Sequence, residues 1–420
     1  MIKWYSDSII IVLTRGIYLT THEHTDAYPS RKINWKGTTL LLVIGVICIA
    51  STLRMPLTVV GPIISFIRED LSISNVLAGF LTTIPLLAFA IISPFAPNVA
   101  RKLGLELTLF LSTILLALGI ILRSLGTTTL LVFGTVLIGI AIAFGNVLIP
   151  GLLKLKFPYH IGLLMAFFTM SMNLTAGLGA GISYPIANSS LGWQGALAIS
   201  LVLVVLTILI WIPQLKFNKP ESTFKITKER TPLWKSPVTW AVTGAMGLQS
   251  LLFYTTAAWI PEIYIAQGLA ADRAGWMFSI MQFSQVPMAL AIPIIASKMT
   301  SQRPLVFMFT SFYIVGFIGL VMEWTSLAIL WMVLLGLAGG ASFALAMMFF
   351  TLRTRTAFEA ADLSGFAQSL GYLFAAIGPI LFGYLHDLFG GWNIVGWLFV
   401  VVVLILSLCS FRASKNEYVS

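Results

Sequence analysis

The stretch LKFNKPESTFKITKERTPLWKS, residues 215–236, is the longest polar run in an otherwise apolar chain, and it lies close to the middle of 420 residues. On either side the sequence is a succession of apolar windows. About 18 such residues suffice for a helix to cross roughly 30 Å of hydrocarbon. Windows of that kind begin near Thr38, Val76, Leu107, Thr128, Ile161 and Trp193 before the run, and near Pro237, Gly275, Pro304, Leu327, Leu363 and Asn393 after it. Six spans therefore precede the run and six follow. With 58% hydrophobic and 10% charged residues, the chain has too little polar surface for a soluble domain. The runs are continuous rather than alternating, which favours helices over a barrel.

The expected fold is an all-α integral membrane protein with twelve transmembrane helices in two six-helix pseudo-repeats. Its expected parts are a tail (1–37), a first bundle (38–213), a linker (214–236), a second bundle (237–411) and a tail (412–420). At an offset of 199 the halves coincide repeatedly: Pro62 with Pro261, Pro94 with Pro293, Gly179 with Gly378, Trp193 with Trp392, and KLKF from Lys154 with RTRT from Arg353. Such self-similarity marks an internal repeat. Because six is even, both halves keep one membrane orientation, the parallel arrangement that places a substrate site between the halves near the midplane. AGLGAGISYP in span 5 and GYLFAAIGPILFG in span 11 are rich in small residues that let helices approach closely.

The formal charge is +10, and its distribution argues against nucleic acid as a partner. Of 25 Lys and Arg, 21 fall at alternate span ends on one side, in residues 1–37, 101–102, 154–156, 216–235, 298–303, 353–355 and 412–415. Arg68, Arg123 and Arg273 fall on the other side. The positive-inside rule then places both termini in the cytoplasm and the chain in the plasma membrane, with lipid as its surroundings. One basic residue is left over, Arg54, in the middle of the first span.

Several chemistries have no support. Cys48 and Cys409 fall inside spans and offer no disulfide framework. The cluster HEHTD at residues 22–26 lacks the ligand spacing of a metal site and reads as a solvated tail. Residues 9–13 are too short an apolar core for a signal peptide. No metalloprotease, nucleophile-elbow, P-loop or dinucleotide fingerprint occurs in a suitable context, so neither an enzyme, an ATP-driven pump, a metal nor a cofactor is expected.

An arginine at a helix centre costs about 2.5 to 3.5 kcal/mol on the insertion scale, so it should face a cavity or a partner. Ser51, Arg54, Thr58, Gly61 and Ser65 share one polar, small stripe of the first helix. Phe253 takes the place of Arg54 in the second half. No acidic residue lies deep in a span; Glu69, Asp70, Glu106, Glu262, Glu323, Glu359, Asp362 and Asp387 sit at ends or in loops. The remaining counter-charge is a transported anion, and a planar guanidinium suits carboxylate-, nitrate- or cyanate-like groups. Export of cationic drugs would require a buried carboxylate, and none is available.

Candidate substrate-binding residues besides Arg54 and Thr58 are Asn146, Asn173, Gln249, Gln282, Gln285, Gln368 and Tyr372. Interhelical glue is the competing role for each. Thr169 with Asn173 and Gln368 with Tyr372 are i, i+4 pairs, and Gln282 with Gln285 is i, i+3, which suits lined faces. Arg101, Lys102, Lys154, Arg353 and Arg355, together with Lys156, sit at span ends where topology and gate contacts explain them.

The stretches LRMPLTVVGPIISFIREDLSIS, AGFLTTIPLLAFAIISPFAP, FGNVLIPGLLKLKFP and RTRTAFEAADLSGFAQSLGYLFAAIGPILFGYLHDLFGGW resemble the cyanate and 2-nitroimidazole transporter family of the major facilitator superfamily. The resemblance runs from about residue 37 to 411. It implies a monomeric secondary carrier with alternating access, moving a small solute that is often anionic or electron-poor. Arg54 matches the arginine of the family's first-helix Asn-Leu-Arg-Pro motif, which here reads Thr52, Leu53, Arg54, Met55, Pro56. The superfamily signature between spans 2 and 3 pairs an acid with a base and a glycine; ARKLG, residues 100–104, lacks the acid, which implies a weaker charge-clamped gate. Residues 1–33 have no counterpart.

The expected function is thus secondary active transport of a small anion, cyanate-like or organic, coupled to protons or a counter-anion. The alternatives are drug or nitroimidazole-type efflux, and a non-transporting membrane receptor, for which the chain has no appended sensory domain.

Overall fold

The computed structural model describes residues 37–220 and 232–419. The N-terminal tail, including the cluster at residues 22–26, and residues 221–231 of the linker lie outside the described residues. Among the described residues the regular structure is helical throughout.

The first span is broken. Helix α1 (Gly37–Thr58) passes through a single-turn 3-10 segment at Gly61–Ile63 into α2 (Ile64–Leu71). Pro56 removes an amide donor from the last turn of α1, and Gly61 with Pro62 follows, so three successive breakers explain the interruption. The second span is α3 (Asn75–Ile92) and α4 (Ala96–Leu103), bent by 59°. The intervening Ser93 to Phe95 contains Pro94, which cannot donate to the preceding turn. Spans 3 to 6 are α5 (Leu105–Arg123), α6 (Thr128–Lys156), α7 (Ile161–Ala187), and α8 (Gly192–Ala198) with α9 (Ser200–Trp211). Spans 7 to 12 are α10 (Pro237–Ala266), α11 (Ala271–Ala296), α12 (Arg303–Val321), α13 (Ala328–Leu352), α14 (Ala357–Phe389) and α15 (Trp392–Ala413).

Among the described residues, ten spans are long and apolar enough to cross a bilayer as they stand, and the bent pair makes eleven. The twelfth, α10, is 30 residues long. It falls short in hydropathy because Gln249, Ser250, Thr255 and Thr256 interrupt it. Those residues face the protein interior rather than lipid.

Two boundaries differ from expectation. The eleventh span starts at Ala357 rather than Leu363, because Thr356 accepts from the Glu359 amide while Glu359 reaches back to the Thr356 amide, a reciprocal cap. Glu359 and Asp362 are therefore helical residues, not loop residues. The sixth span continues as a 3-10 segment through Phe217, past residue 213.

Packing across the halves is reciprocal. In the first half α7 packs on α1, and it crosses to α11; in the second half α14 packs on α10, and it crosses to α3 and α6. In span numbers, 5 meets 8 and 11 meets 2, each pair displaced by six, as a two-fold pseudo-repeat requires. Matching hydrogen bonds secure both seams. The Thr169 hydroxyl donates to the Ala289 carbonyl at 2.7 Å, and the Ser369 hydroxyl donates to the Ala90 carbonyl at 2.6 Å. Within the second half, α13 meets α11 at Gly336 and Gly340, whose missing side chains leave room for the Met281 and Gln285 carbonyls. Any side chain there would push α11, and Gln285 with it, away.

Candidate functional site

Lining residues of the central cavity lie near the middle of their helices. Gln249, Phe253 and Thr256 come from α10, Gln285 from α11, Tyr313 from α12 and Phe343 from α13, while the first half contributes Arg54. The space that a water-sized sphere can enter is about 10 Å³, enough for about one water. The cavity is thus nearly shut.

Arg54 occupies the terminal turn of α1. Its Nη1 donates to Asn173 Oδ1 of α7 at 2.6 Å. Its Cζ lies 4.3 Å from the ring centroid of Phe343 and 4.8 Å from that of Phe253. Each desolvated cation–π contact is worth up to about 2 kcal/mol, so the two rings offset part of the cost of burying the charge. Phe253 is also the residue that matches Arg54 at the 199-residue offset. Symmetry mates meet only beside the axis that relates them, which locates Arg54 on the pseudo-two-fold. Among the described residues no carboxylate pairs with Arg54. Asn173 Nδ2 is buried and has no partner among the described residues, leaving an amide donor beside the guanidinium. The site is rich in donors and lacks fixed negative charge.

The other expected site residues divide into two groups. Gln249 and Gln285 line the cavity, Asn173 holds Arg54, Gln282 accepts from Gln285 Nε2, and Tyr372 packs its ring on Phe89 at 4.8 Å and on Tyr254 at 6.4 Å. Thr58, Asn146 and Gln368 lie elsewhere. The Thr58 hydroxyl turns back to the Met55 carbonyl at 3.3 Å, beneath Gly179. Gln368 Nε2 donates to the Asn146 carbonyl at 3.1 Å and to the Ser364 hydroxyl at 2.7 Å, so this pair joins the halves between the cavity and the basic end. Phe343, Tyr313 and Thr256 escaped sequence reasoning. Phe253 carried a signal as the counterpart of Arg54, whereas nothing in one sequence separates Tyr313, bonded to Ser342 at 3.1 Å, from a core aromatic.

The basic end is closed. Arg101 of α4 pairs with Asp362 of α14, with each side chain 20% exposed. The acid that ARKLG lacks is thus supplied by the opposite half, and the expectation of a weakened clamp is corrected. Lys154 Nζ at the end of α6 donates to the Thr351 carbonyl at 2.6 Å, to the Thr354 carbonyl, and to the Thr354 hydroxyl at 3.0 Å. Thr351 lies in the last turn of α13 and Thr354 just beyond it, where a cation complements the helix dipole. Among the described residues, every hydrogen bond between the halves lies on this side of the cavity.

Arg353 and Arg355 do not cross between the halves. Arg353 is buried against its own half, where Nε donates to the Ala413 carbonyl at 2.7 Å and Nη2 to Gln302. Burial lowers its pKa to about 10, with Tyr418 and Glu417 opposing the shift, so it stays charged at neutral pH. Arg355 lies over the Tyr418 ring at 5.2 Å. Lys102 is exposed at the end of α4. Both ends of α5 are buried: Glu106 is paired with Lys156 at 2.6 Å, and Arg123 is 1% exposed.

A multi-span helical membrane protein with a polar, cation-bearing cavity on its pseudo-symmetry axis is the architecture of a solute carrier. The chain belongs to the Major Facilitator Superfamily, whose family profile matches residues 40–379. It is 41% identical over 389 residues to the uncharacterized transporter YycB of Bacillus subtilis (strain 168), covering 92% of this chain and 96% of that one. It is 37% identical over 380 residues to the 2-nitroimidazole transporter of Escherichia coli (strain K12), with 90% and 96% covered. Against the cyanate transport protein CynX of the same organism, identity is 25% over 374 residues, covering 88% and 96%. In fold it is similar to the proton:xylose symporter XylE bound to 6-bromo-6-deoxy-D-glucose, with a TM-score of 0.75, 14% identity, and 91% and 98% of the two chains covered. The protein is a membrane transporter, not an enzyme.

Proposed function

We propose that the protein is a secondary carrier of a small, delocalised anion, with Arg54 as the residue that binds the charge. The observation that carries this reading is the guanidinium held on the pseudo-symmetry axis by an amide and two aromatic rings, without a carboxylate. A buried charge left in this way is costly, and an anion that neutralises it binds with a strength that a pre-paired arginine would not offer. Asn173, Gln249, Gln282 and Gln285 supply neutral hydrogen bonds, with Tyr372 at the wall.

Transport follows by alternating access. Lys154 and the Arg101–Asp362 pair hold the basic end shut, and their release, with Gln368 and Asn146 between them and the cavity, opens the site to that side. The charge census of the sequence supports a cytoplasmic basic end with both termini inside, in the plasma membrane, and so a conformation closed toward the cytoplasm. A monomer contains the whole cavity. With no acid at the site, a proton would travel with the substrate, or an exchanged anion would balance the charge.

Efflux of an uncharged, electron-poor aromatic is the second reading. Phe253 and Phe343 at the cavity wall favour it, as does the 37% identical relative named for 2-nitroimidazole. Proteoliposomes loaded under an imposed pH gradient and offered cyanate, small carboxylates and 2-nitroimidazole separate the two. Saturable flux of an anion supports the first reading; flux of 2-nitroimidazole alone refutes it in favour of the second.

A further inference from the structure

Arg123 is the last residue of α5 and is 1% exposed. Its Nη1 donates to the Pro56 carbonyl at 2.8 Å, while its Nε and Nη2 are buried without a hydrogen-bond partner among the described residues. Pro56 belongs to the final turn of α1, whose last four carbonyls have no intrahelical donor, and the chain breaks immediately afterwards at residues 59–63. A cation at this carbonyl end also complements the helix dipole. Arg54 lies two residues before Pro56, on the same terminal turn. From the other side, Gly179 of α7 closes on that turn; a Cβ there would lie 2.9 Å from Met55 Cγ and 3.1 Å from Thr58 Oγ1.

We propose that Arg123 is a positioning residue for Arg54: by holding the Pro56 carbonyl at the break of span 1, it sets where the Arg54 guanidinium stands in the cavity. The inference rests on the reading of Arg54 as the substrate-binding charge. A neutral core residue would avoid the cost of burying a charge with one hydrogen bond, so a role in packing alone does not account for an arginine here. Because the break lies between the cavity and the end opposite the basic one, Arg123 fixes the half-turn that a rocking motion must carry as a unit. Its two unused donors provide for further acceptors should the carbonyls of the break change places.

The test reads span 1 with and without substrate. In a Cys48→Ser, Cys409→Ser background, Thr58→Cys reports movement of the terminal turn through its rate of alkylation by a small maleimide, with no ligand present. In the same proteoliposomes, uptake of radiolabelled cyanate gives apparent KM and Vmax. Arg123→Met is expected to raise both the alkylation rate and the KM about tenfold, the scale of a lost charge-assisted hydrogen bond, with folded yield and Vmax nearly kept. Arg123→Lys, which still carries a cationic donor, is expected to recover most of both. Unchanged alkylation and KM in Arg123→Met overturn the proposal, as does a loss of folded yield common to the Met and Lys variants. If Arg54→Gln leaves cyanate uptake normal, the reading of Arg54 fails, whereas the alkylation assay still decides whether Arg123 pins the turn.

Discussion

Replacing Lys154 by Met tests whether the basic end is held shut by specific contacts rather than by packing alone. The side chain is similar in length and volume, so the change removes the ammonium and leaves the stem. In the closed form Lys154 Nζ serves three acceptors, the carbonyls of Thr351 and Thr354 and the Thr354 hydroxyl. The hydroxyl keeps its bond to the Phe350 carbonyl at 2.7 Å, so the loss falls mainly on the two carbonyls, one in the last turn of α13 and one just past it. Hydrogen bonds to a charged group are worth about 1.5 to 3 kcal/mol net, and two that share one ammonium contribute about 2 to 3 kcal/mol together. At 1.4 kcal/mol for each factor of ten, the ratio of closed to open forms falls roughly 30- to 150-fold. Ser93 is a suitable reporter: it is fully buried, and its backbone carbonyl faces Gly365 of α14 across the seam. Ser93→Cys in the cysteine-free background should be alkylated correspondingly faster in Lys154→Met, by a reagent applied from the basic side. An unchanged rate would refute the account of the closure, because it would show the seam held without Lys154.

Two other perturbations address the cavity wall and its support. Phe343→Ala removes one ring from beside Arg54 and enlarges the cavity. Loss of about 1 to 2 kcal/mol of the cation–π energy that holds Arg54 in place should raise the KM for the transported anion about 5- to 30-fold in an uptake assay, and equal KM values in both proteins would contradict a role for the contact in placing Arg54. Gly340→Val places a side chain against the Gln285 backbone. It should lower thermal stability of the purified protein by about 1 to 3 kcal/mol and weaken substrate binding at the same time, since α11 carries Gln285 into the cavity; unaltered melting would contradict the close approach.

The number of spans, their order and most of their starts were legible, because length and unbroken apolarity are local properties of a sequence. The polar dilution of α10 was legible too, and its meaning became clear only when Gln249 and Thr256 turned out to face the cavity. Arg54 stood out as a charge that lipid would not accept. What the sequence could not convey was which helix covers which. Arg123 and Glu106 lie at helix ends, and nothing in their local sequence shows that other spans bury them. ARKLG reads as a gate without its acid, yet Asp362, 261 residues away, provides one. The i, i+4 pairing of Gln368 with Tyr372 suggested one lined face. Gln368 instead meets the Asn146 carbonyl across the halves, while Tyr372 packs on Phe89. Helical spacing assigns residues to a face, and only the crossing of helices decides what that face meets.

The claim on which the functional account depends is that Arg54 supplies the charge that binds the transported solute. Equilibrium binding and uptake of cyanate and of small carboxylates by purified protein in proteoliposomes, comparing the native chain with Arg54→Gln and Arg54→Lys, test it most directly. Arg54→Gln keeps a donor for Asn173 and removes the charge. It is expected to abolish saturable binding and uptake while the protein remains folded and its basic end remains closed by the Ser93→Cys assay. Arg54→Lys, a point charge without the planar fork, is expected to retain weak uptake at raised KM. Normal anion binding and transport by Arg54→Gln would contradict the account.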